Sequence, residues 1–308
     1  MPRAPRRFEL AGRYRRQPRL LIPGRPKNPI ASVRPYEHIT VIQASRGWRA
    51  LDLRELWRFR ELTYFLAWRD VKVRYKQTAL GAAWAVLQPL LAMLIFSIFF
   101  GRLAKLPSDG IPYPLFAFVG VLPWTFFANA ATTSGQSLVS NTNLVSKVYF
   151  PRLVVPMAAV FAALVDLAIG FVLLLGLLMF FRAPAGPQLG MLPLFVVLAV
   201  ATALGVGIWL SALDVQYRDV RYAIPFLIQI WLFATPVVYP SSLVPEPYRA
   251  ILGLNPMAGV VEGFRWALLG NPHPPFGLLL VSALVVLLLL SSGILYFRRM
   301  ERIFADVI

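Results

Sequence analysis

The sequence predicts an all-α integral membrane fold of six transmembrane helices preceded by an amphipathic interface helix, on three observations. Six long apolar stretches occupy residues 82–100, 111–134, 153–181, 189–213, 222–244 and 276–297. The 308 residues are 58% hydrophobic and only 15% charged, which no ordinary soluble domain matches. A block of positive charge stands directly in front of the first stretch. A spanning helix needs about 20 mostly apolar residues to cross roughly 30 Å of hydrocarbon. The first, second, fourth and sixth stretches meet that length simply. The third is long enough to tilt or to include an interfacial turn. The fifth is interrupted by Pro225 and Pro236, so its ends are soft. Asp166 is the one acid within the first four stretches and the last, which hold no Lys or Arg.

The net charge of +17 is concentrated: residues 1–80 hold 19 of the 31 Lys and Arg but six of the 14 acids. In a soluble protein that balance would point to nucleic acid. Ahead of a membrane span it points to the anionic cytoplasmic leaflet and sets topology by the positive-inside bias, so no nucleic-acid partner is expected. The first 20 residues are rich in Arg and Pro and lack the apolar core of a cleavable signal. The N-terminus is therefore predicted to stay in the cytoplasm, and an even number of spans returns the C-terminus there. Inner loops then carry Lys147 and Arg152, Arg218 and Arg221, and the tail Arg298, Arg299 and Arg302. Outer loops carry Arg102, Lys105, Arg182, Arg249 and Arg265. The N-terminal block dominates this modest bias. Cysteine is absent, which excludes disulfides, thiolate metal sites and a Cys nucleophile. His38 and His273 are far apart and outside the spans, so no metal site is expected.

Three regions follow: a disordered basic arm (1–35), a tether with the interface helix (36–80) and the transmembrane domain (81–308). Residues 37–43 hold the β-branched run Ile39, Thr40, Val41, Ile42, readable as a strand or an extended tether. Over 51–76 a helical period of ~100° per residue gathers Arg54, Arg58, Glu61, Arg69, Lys72 and Lys76 within roughly an 80° arc. Leu53, Trp57, Tyr64, Trp68, Val71 and Tyr75 share an adjoining arc, with Phe65 interrupting the polar stripe. This is the pattern of a helix lying in the membrane interface, or of a soluble helix packed on a partner. The connection 245–275 contains apolar pieces too short to span, broken by Pro and Gly. Such pieces read as re-entrant or interfacial helices, tolerated at membrane depth where they are buried in protein or line a cavity.

Chemistry-bearing motifs are few. No G-x-x-x-x-G-K-[ST], H-E-x-x-H or G-x-S-x-G occurs, so neither a P-loop nor a catalytic residue is assigned. Asp166 is either functional, as ionisable groups in hydrocarbon often are, or a polar side chain bonded between helices. The inner loop SLVSNTNLVSKVYFPRLVVP would place a short helix parallel to the membrane. It either displays Lys147, Tyr149 and Arg152 to a cytosolic partner or simply connects spans while its cations meet lipid phosphates. Trp84 and Trp57 fit the inner aromatic belt. Trp124, Phe126 and Phe127 lie too deep for the outer belt, and Trp231, Phe233 and Tyr239 punctuate the fifth stretch. Aromatic faces pack against the C–H faces of sugars, although a core or lipid-facing position is the commoner use of any one ring.

Four longer runs converge on a family. WRDVKVRYKQTALGAAWAVLQPLL (68–91), PLFAFVGVLPWTFFANA, NLVSKVYFPRLVVP and LNPMAGVVEGFRWALLG resemble, in order, the permease subunits of polysaccharide-exporting ABC transporters of the O-antigen, capsule and teichoic-acid type. The resemblance covers residues from about 50 to 300. It implies a homodimer of six-helix permeases in the bacterial inner membrane, bound to two cytosolic ATPase subunits that hold ATP and Mg; this chain carries no cofactor. A lipid-linked polysaccharide would pass between the two permeases. By the same resemblance a cytoplasmic coupling helix falls on 141–152, with Asn141, Asn143, Lys147, Tyr149, Phe150 and Arg152 facing the ATPase. The interface helix falls on 51–75 and short periplasmic gate helices on 248–254 and 256–269. Trp84, Trp124, Phe126, Phe127, Trp231 and Tyr239 would offer stacking surfaces to the sugar chain. The basic interface helix, with Arg54, Arg58, Arg69, Lys72 and Lys76, would gather the anionic substrate.

Other readings are weaker. An ABC permease for a different amphiphile (teichoic acid, lipid or drug) shares every feature above. A membrane-embedded glycosyl or acyl transferase needs a cluster of acid–base or metal-binding groups that the sequence lacks. A secondary transporter would have only Asp166 for ion coupling.

Overall fold

A computed structural model of the protein describes residues 53–76, 81, 83–183, 186–270, 275–301 and 304. The basic arm (1–35), the run 37–43, Leu51, His38, His273 and Arg302 lie outside the described residues. All described residues belong to the second of two units into which the chain divides, 48–308. Among them every regular element is a helix.

The chain begins with α1 (Leu53–Arg58) and α2 (Arg60–Lys76), separated by a tightened turn at Phe59 where the predicted single helix breaks. The first span is α3 (Ala83–Phe96), with Pro89 inside it, continued by a π-helical stretch Ser97–Leu103. Next come α4 (Tyr113–Gly135), the short α5 (Ser137–Ser140) and α6 (Thr142–Lys147), and α7 (Val154–Phe180). A 3-10 turn at Pro187–Met191 leads into α8 (Leu192–Gln216), followed by α9 (Val220–Ala234). A second 3-10 turn, Ser241–Leu243, precedes α10 (Glu246–Leu252), α11 (Pro256–Leu269) and α12 (Phe276–Glu301). The two predicted gate segments are thus helices, α10 and α11.

Five helical segments are long and apolar enough to cross a membrane: Ala83–Leu103, Tyr113–Gly135, Val154–Phe180, Pro187–Gln216 and Phe276–Glu301. The fifth predicted stretch, 222–244, behaves differently. Its helix α9 has 15 residues, about 22 Å at 1.5 Å per residue, short of the roughly 30 Å core. The cause is local: Thr235 is extended (φ −100°, ψ 138°) and Pro236, which has no N–H to donate, follows it. The chain then runs without helix to Pro240.

The core is built around α4, where 78% of the span is buried, against 11% in α3 and 22% in α12. Residues from α7, α8, α9 and α11 close on α4 through one apolar cluster that includes Phe118, Phe127, Val160, Ala203, Ile224 and Phe264. A second cluster sits at the opposite end of the bundle from α11, joining Leu66, Val145, Phe150, Val154, Val215, Phe297 and Phe304. These ends are called here the α6 end and the α11 end. Helix α11 has a well-defined start and stop: Asn255 caps it through Met257 N–H (3.1 Å), Pro256 stands at its first turn, and Gly270 ends it in the left-handed region (φ 73°).

Helices α8 and α12 cross at a pair of glycines. A Cβ added at Gly293 would lie 2.9 Å from the Gly205 carbonyl oxygen and 2.9 Å from the Trp209 ring. Close backbone approach through small residues is a common way to pack helices in lipid, where apolar burial drives nothing. Gly293→Val is therefore expected to force the pair apart at a cost of about 1–3 kcal/mol. A thermal melt of the purified protein in detergent should fall by several degrees, and an unchanged melt would remove this contact from the account.

Candidate functional site

Asp166, isolated in the sequence, is not isolated in the fold. Its carboxylate accepts from the Arg74 guanidinium and from the Tyr75 hydroxyl, both near the C-terminus of α2. Burial, then the hydrogen bond and charge of Asp166, push the Tyr75 phenol up, so it stays protonated and donates. Asp166 lies twelve residues into α7, roughly 18 Å along it. It nevertheless shares a cavity with Trp84, the second residue of α3, and so stands level with the start of the first span. The expected lone intramembrane acid is a paired group where α2 meets the bundle. Asp166→Ala removes the carboxylate that accepts from the Arg74 guanidinium and the Tyr75 hydroxyl and should lower stability by about 1–3 kcal/mol, with Asp166→Asn, which still accepts from Tyr75, losing less. Melting curves of the two variants decide this, and equal losses would show that the Tyr75 hydrogen bond contributes nothing beyond the charge.

The cavity has a volume of about 360 Å³ and is walled by the end of α2, the first turns of α3, the α6-end half of α4, and α7. Trp84 and Phe126, two of the six predicted stacking residues, line it. The other four do not. Trp124 and Phe127 are buried, their ring centroids 5.4 Å apart, and Phe127 packs edge-on against Trp231 at 5.2 Å. Trp231 Nε1 donates to Asn255 Oδ1 (2.9 Å), and Asn255 Nδ2 donates to Thr235 Oγ1 (2.8 Å), which locks the end of α9 to the start of α11. Tyr239 is half-buried and its carbonyl accepts from Arg265 (3.2 Å). In this protomer those four serve packing.

The predicted docking segment 141–152 is helical only over Thr142–Lys147. Val148 is extended (φ −120°, ψ 134°), and Pro151 disfavours helix at Phe150 before it. Asn143, Lys147 and Tyr149 are exposed, Tyr149 at 69%. The remaining three tie the loop down. Asn141 Oδ1 accepts from Arg69 Nη2 (2.9 Å), Phe150 is buried in the α6-end cluster, and Arg152 Nη1 donates to the Glu301 carbonyl (2.7 Å). The 141–152 loop is thereby fastened both to α2 and to the end of α12.

Helix α2 packs along α7 through Thr63, Leu66 and Val71. Of the predicted apolar arc Val71 is fully inside, while Trp57, Tyr64 and Trp68 are exposed beside Phe65. Arg54, Arg58, Arg69, Lys72 and Lys76 are exposed on the same helices. Phe65, Trp68, Arg69, Lys72, Val73 and Lys76 line a groove of about 390 Å³, with the Lys72 ammonium 5.6 Å from the Trp68 ring. Exposed rings interleaved with cations suit a lipid headgroup layer.

Residues 61–269 match the family described as ABC-2 type transporter. The chain belongs to that family. It is 32% identical over 256 residues to an O-antigen export system permease protein of Myxococcus xanthus, covering 81% of this chain and 96% of the relative. A permease of the same name from Klebsiella pneumoniae is 27% identical over 246 residues, covering 78% of this chain and 92% of the relative. A polysialic acid transport protein of Escherichia coli is 24% identical over 238 residues, covering 76% and 91%.

In this ABC-2 transporter family member, α11 carries a buried ion pair. Arg265, 2% exposed, donates from Nη1 to the carbonyls of Pro236 (2.6 Å) and Tyr239 and to Glu262 Oε1 (2.9 Å), and from Nη2 to the carbonyl of Val237 (2.6 Å). Its guanidinium carbon lies 3.7 Å from the centroid of the Phe116 ring. One side chain thus satisfies the carbonyls left bare where α9 stops. Sequence reading placed Arg265 in an outer loop. The spacing of Glu262 and Arg265, three residues apart on a helix, was the available signal.

Proposed function

We propose that this chain is the transmembrane subunit of an ABC exporter that moves lipid-linked, O-antigen-like polysaccharide from the cytoplasm across the bacterial inner membrane. It works as a homodimer with two cytosolic ATPase subunits, which bind ATP and Mg. The observation that carries this reading is the similarity to the Myxococcus export permease over 96% of that protein's length. The fold supports it. In this reading α9 with the non-helical run to Pro240 would make a sixth crossing beside the five long helices, and both chain ends would lie in the cytoplasm. Lys147 and Tyr149 stand out from the α6 end, where an ATPase would dock. Closure of the ATPase pair would push that loop, and through Arg69–Asn141 and Arg152–Glu301 the push reaches α2 and α12.

The test is deletion of the gene, with surface polysaccharide and drug sensitivity both measured. Loss of the surface polymer, restored by the intact chain, is expected. A normal polymer with altered drug sensitivity would assign the permease to a different amphiphile.

A further inference from the structure

The cavity beside Asp166 combines features that no packing role requires. Two of its walls are aromatic: Trp84, half exposed, and Phe126, buried at the cavity's back. Between them the side-chain amides of Gln88 and Asn129 line the space and make no hydrogen bond to the described residues. Thr132 and Thr133 also line it, but their hydroxyls are taken, donating to the carbonyls of Ala128 and Asn129 at 2.7 Å each. At one end stands the Arg74–Asp166–Tyr75 group, whose carboxylate oxygens keep further lone pairs after accepting one bond each. The volume of about 360 Å³ lies within the range of small-molecule sites, roughly 300–1,000 Å³.

Three classes of occupant can be weighed. A phosphate or pyrophosphate needs surplus positive charge. Among the described lining residues Arg74 is the one cation, and Asp166 already pairs with it. A lipid tail would cover the amides and the ion pair without matching them, which is unfavourable for each polar group left unpaired. A neutral, hydroxyl-rich ring matches both parts of the wall. Its hydroxyls can pair with Gln88, Asn129 and the free lone pairs of Asp166, while its C–H face lies on the exposed ring of Trp84.

We infer that this cavity is a saccharide subsite contained within a single protomer, holding one uncharged sugar unit of the exported chain at the entrance level of the first span. The inference rests on the export reading above and deepens it. The cavity's described walls come from α2, α3, α4 and α7 of one chain. It also gives the α2–α7 contact a second use. A sugar bonded to Asp166 bears on the same carboxylate that holds α2 in place.

The test uses the full chain in lipid nanodiscs free of sugar detergents. The probe is the neutral oligosaccharide fraction released by mild acid hydrolysis from the surface polysaccharide of the same cells. Saturation-transfer NMR should show transfer to the sugar ring protons. Asn129→Leu, Gln88→Leu and Trp84→Leu should each weaken it roughly fivefold, the loss of one hydrogen bond or stacking face. Gln88 and Trp84 are exposed on α3, so their variants keep the test valid should Asn129→Leu fail to fold. Inorganic pyrophosphate should not displace the sugar. Equal transfer in the intact chain and the three variants, or displacement by pyrophosphate, overturns the subsite. The gene deletion separates the two readings. Loss of surface polymer together with unaffected variants rejects this cavity alone, whereas a normal polymer rejects the export reading and the subsite with it.

Discussion

Arg265→Leu is expected to destabilise the transporter by roughly 3–5 kcal/mol, the range for removing one partner from a buried ion pair. The cause is specific. Leucine leaves the Glu262 carboxylate, 8% exposed as a residue, without its cation, and it also frees the carbonyls of Pro236 and Val237, each held at 2.6 Å. These carbonyls belong to the run where α9 ends early, so the substitution should loosen 235–240 before the rest of the bundle. The conservative change is informative: Arg265→Lys keeps the charge but loses the planar fork that reaches Pro236 and Val237 from two nitrogens. It should fall between the intact chain and Arg265→Leu. Glu262→Gln removes the charge but keeps an acceptor, and should cost less than either. Even Gly120 is shaped by this group, since a Cβ there would sit 3.0 Å from Arg265 Nη2 and 3.0 Å from the Val237 carbonyl oxygen. The measurement is the thermal melt of nanodisc-embedded protein, paired with limited proteolysis near residue 240. A melt for Arg265→Leu indistinguishable from the intact chain would show that the network is incidental.

Which parts of this architecture were legible in the sequence follows from how locally each is determined. The long apolar runs at 82–100, 111–134, 153–181, 189–213 and 276–297 became helices with little change in bounds, because a lipid-facing segment must satisfy its backbone within itself. The short helices α10 and α11 were legible for a related reason: Pro256 and Gly270 mark a start and a stop whatever surrounds them. The fifth stretch was less legible. Residues Thr235 to Val238 are all buried, and Pro236 marked the end as soft without fixing where the helix stops, which the backbone sets at Ala234. What holds the run beyond it is Arg265, 29 residues past Pro236, and no periodicity links the two.

The site residues divide in the same way. Exposure of Lys147 and Tyr149 was readable from a polar loop ending in proline. Anchoring of Asn141, Phe150 and Arg152 was not, since their partners Arg69, the α6-end cluster and Glu301 come from distant helices. Aromatic residues were read as a set, yet burial splits them. Trp84 and Phe126 reach a cavity, while Trp124, Phe127 and Trp231 pack on one another. Helical phase does not decide this alone, because Phe126 and Phe127 are neighbours and both are buried. The partner of Asp166 was hidden because the α2 contact joins positions 92 residues apart. Only the rule that a charge at that depth needs a companion pointed toward one.

Lys147→Ala combined with Tyr149→Ala is expected to uncouple the permease from its ATPase while leaving the fold intact. Tyr149 is 69% exposed and Val148 beside it 52%, so neither contributes to the core of this chain. An exposed aromatic next to a cation at the tip of a fastened loop is the composition of an interface hot spot, whose loss typically costs about 2 kcal/mol or more. That corresponds to roughly 30-fold weaker association. Co-purification of the ATPase and surface display of the polymer should fall together, with the melting temperature of the isolated permease unchanged. Phe150→Ala should do the opposite first. Its side chain fills the α6-end cluster, so truncation should lower the melt by the equivalent of roughly 3–5 kcal/mol. The pair of results discriminates docking from scaffolding at adjacent positions. If the double variant binds ATPase and exports polymer as the intact chain does, the exposed tip is not where the two subunits meet, and the thrust of nucleotide-driven closure must enter through another surface of the α6 end.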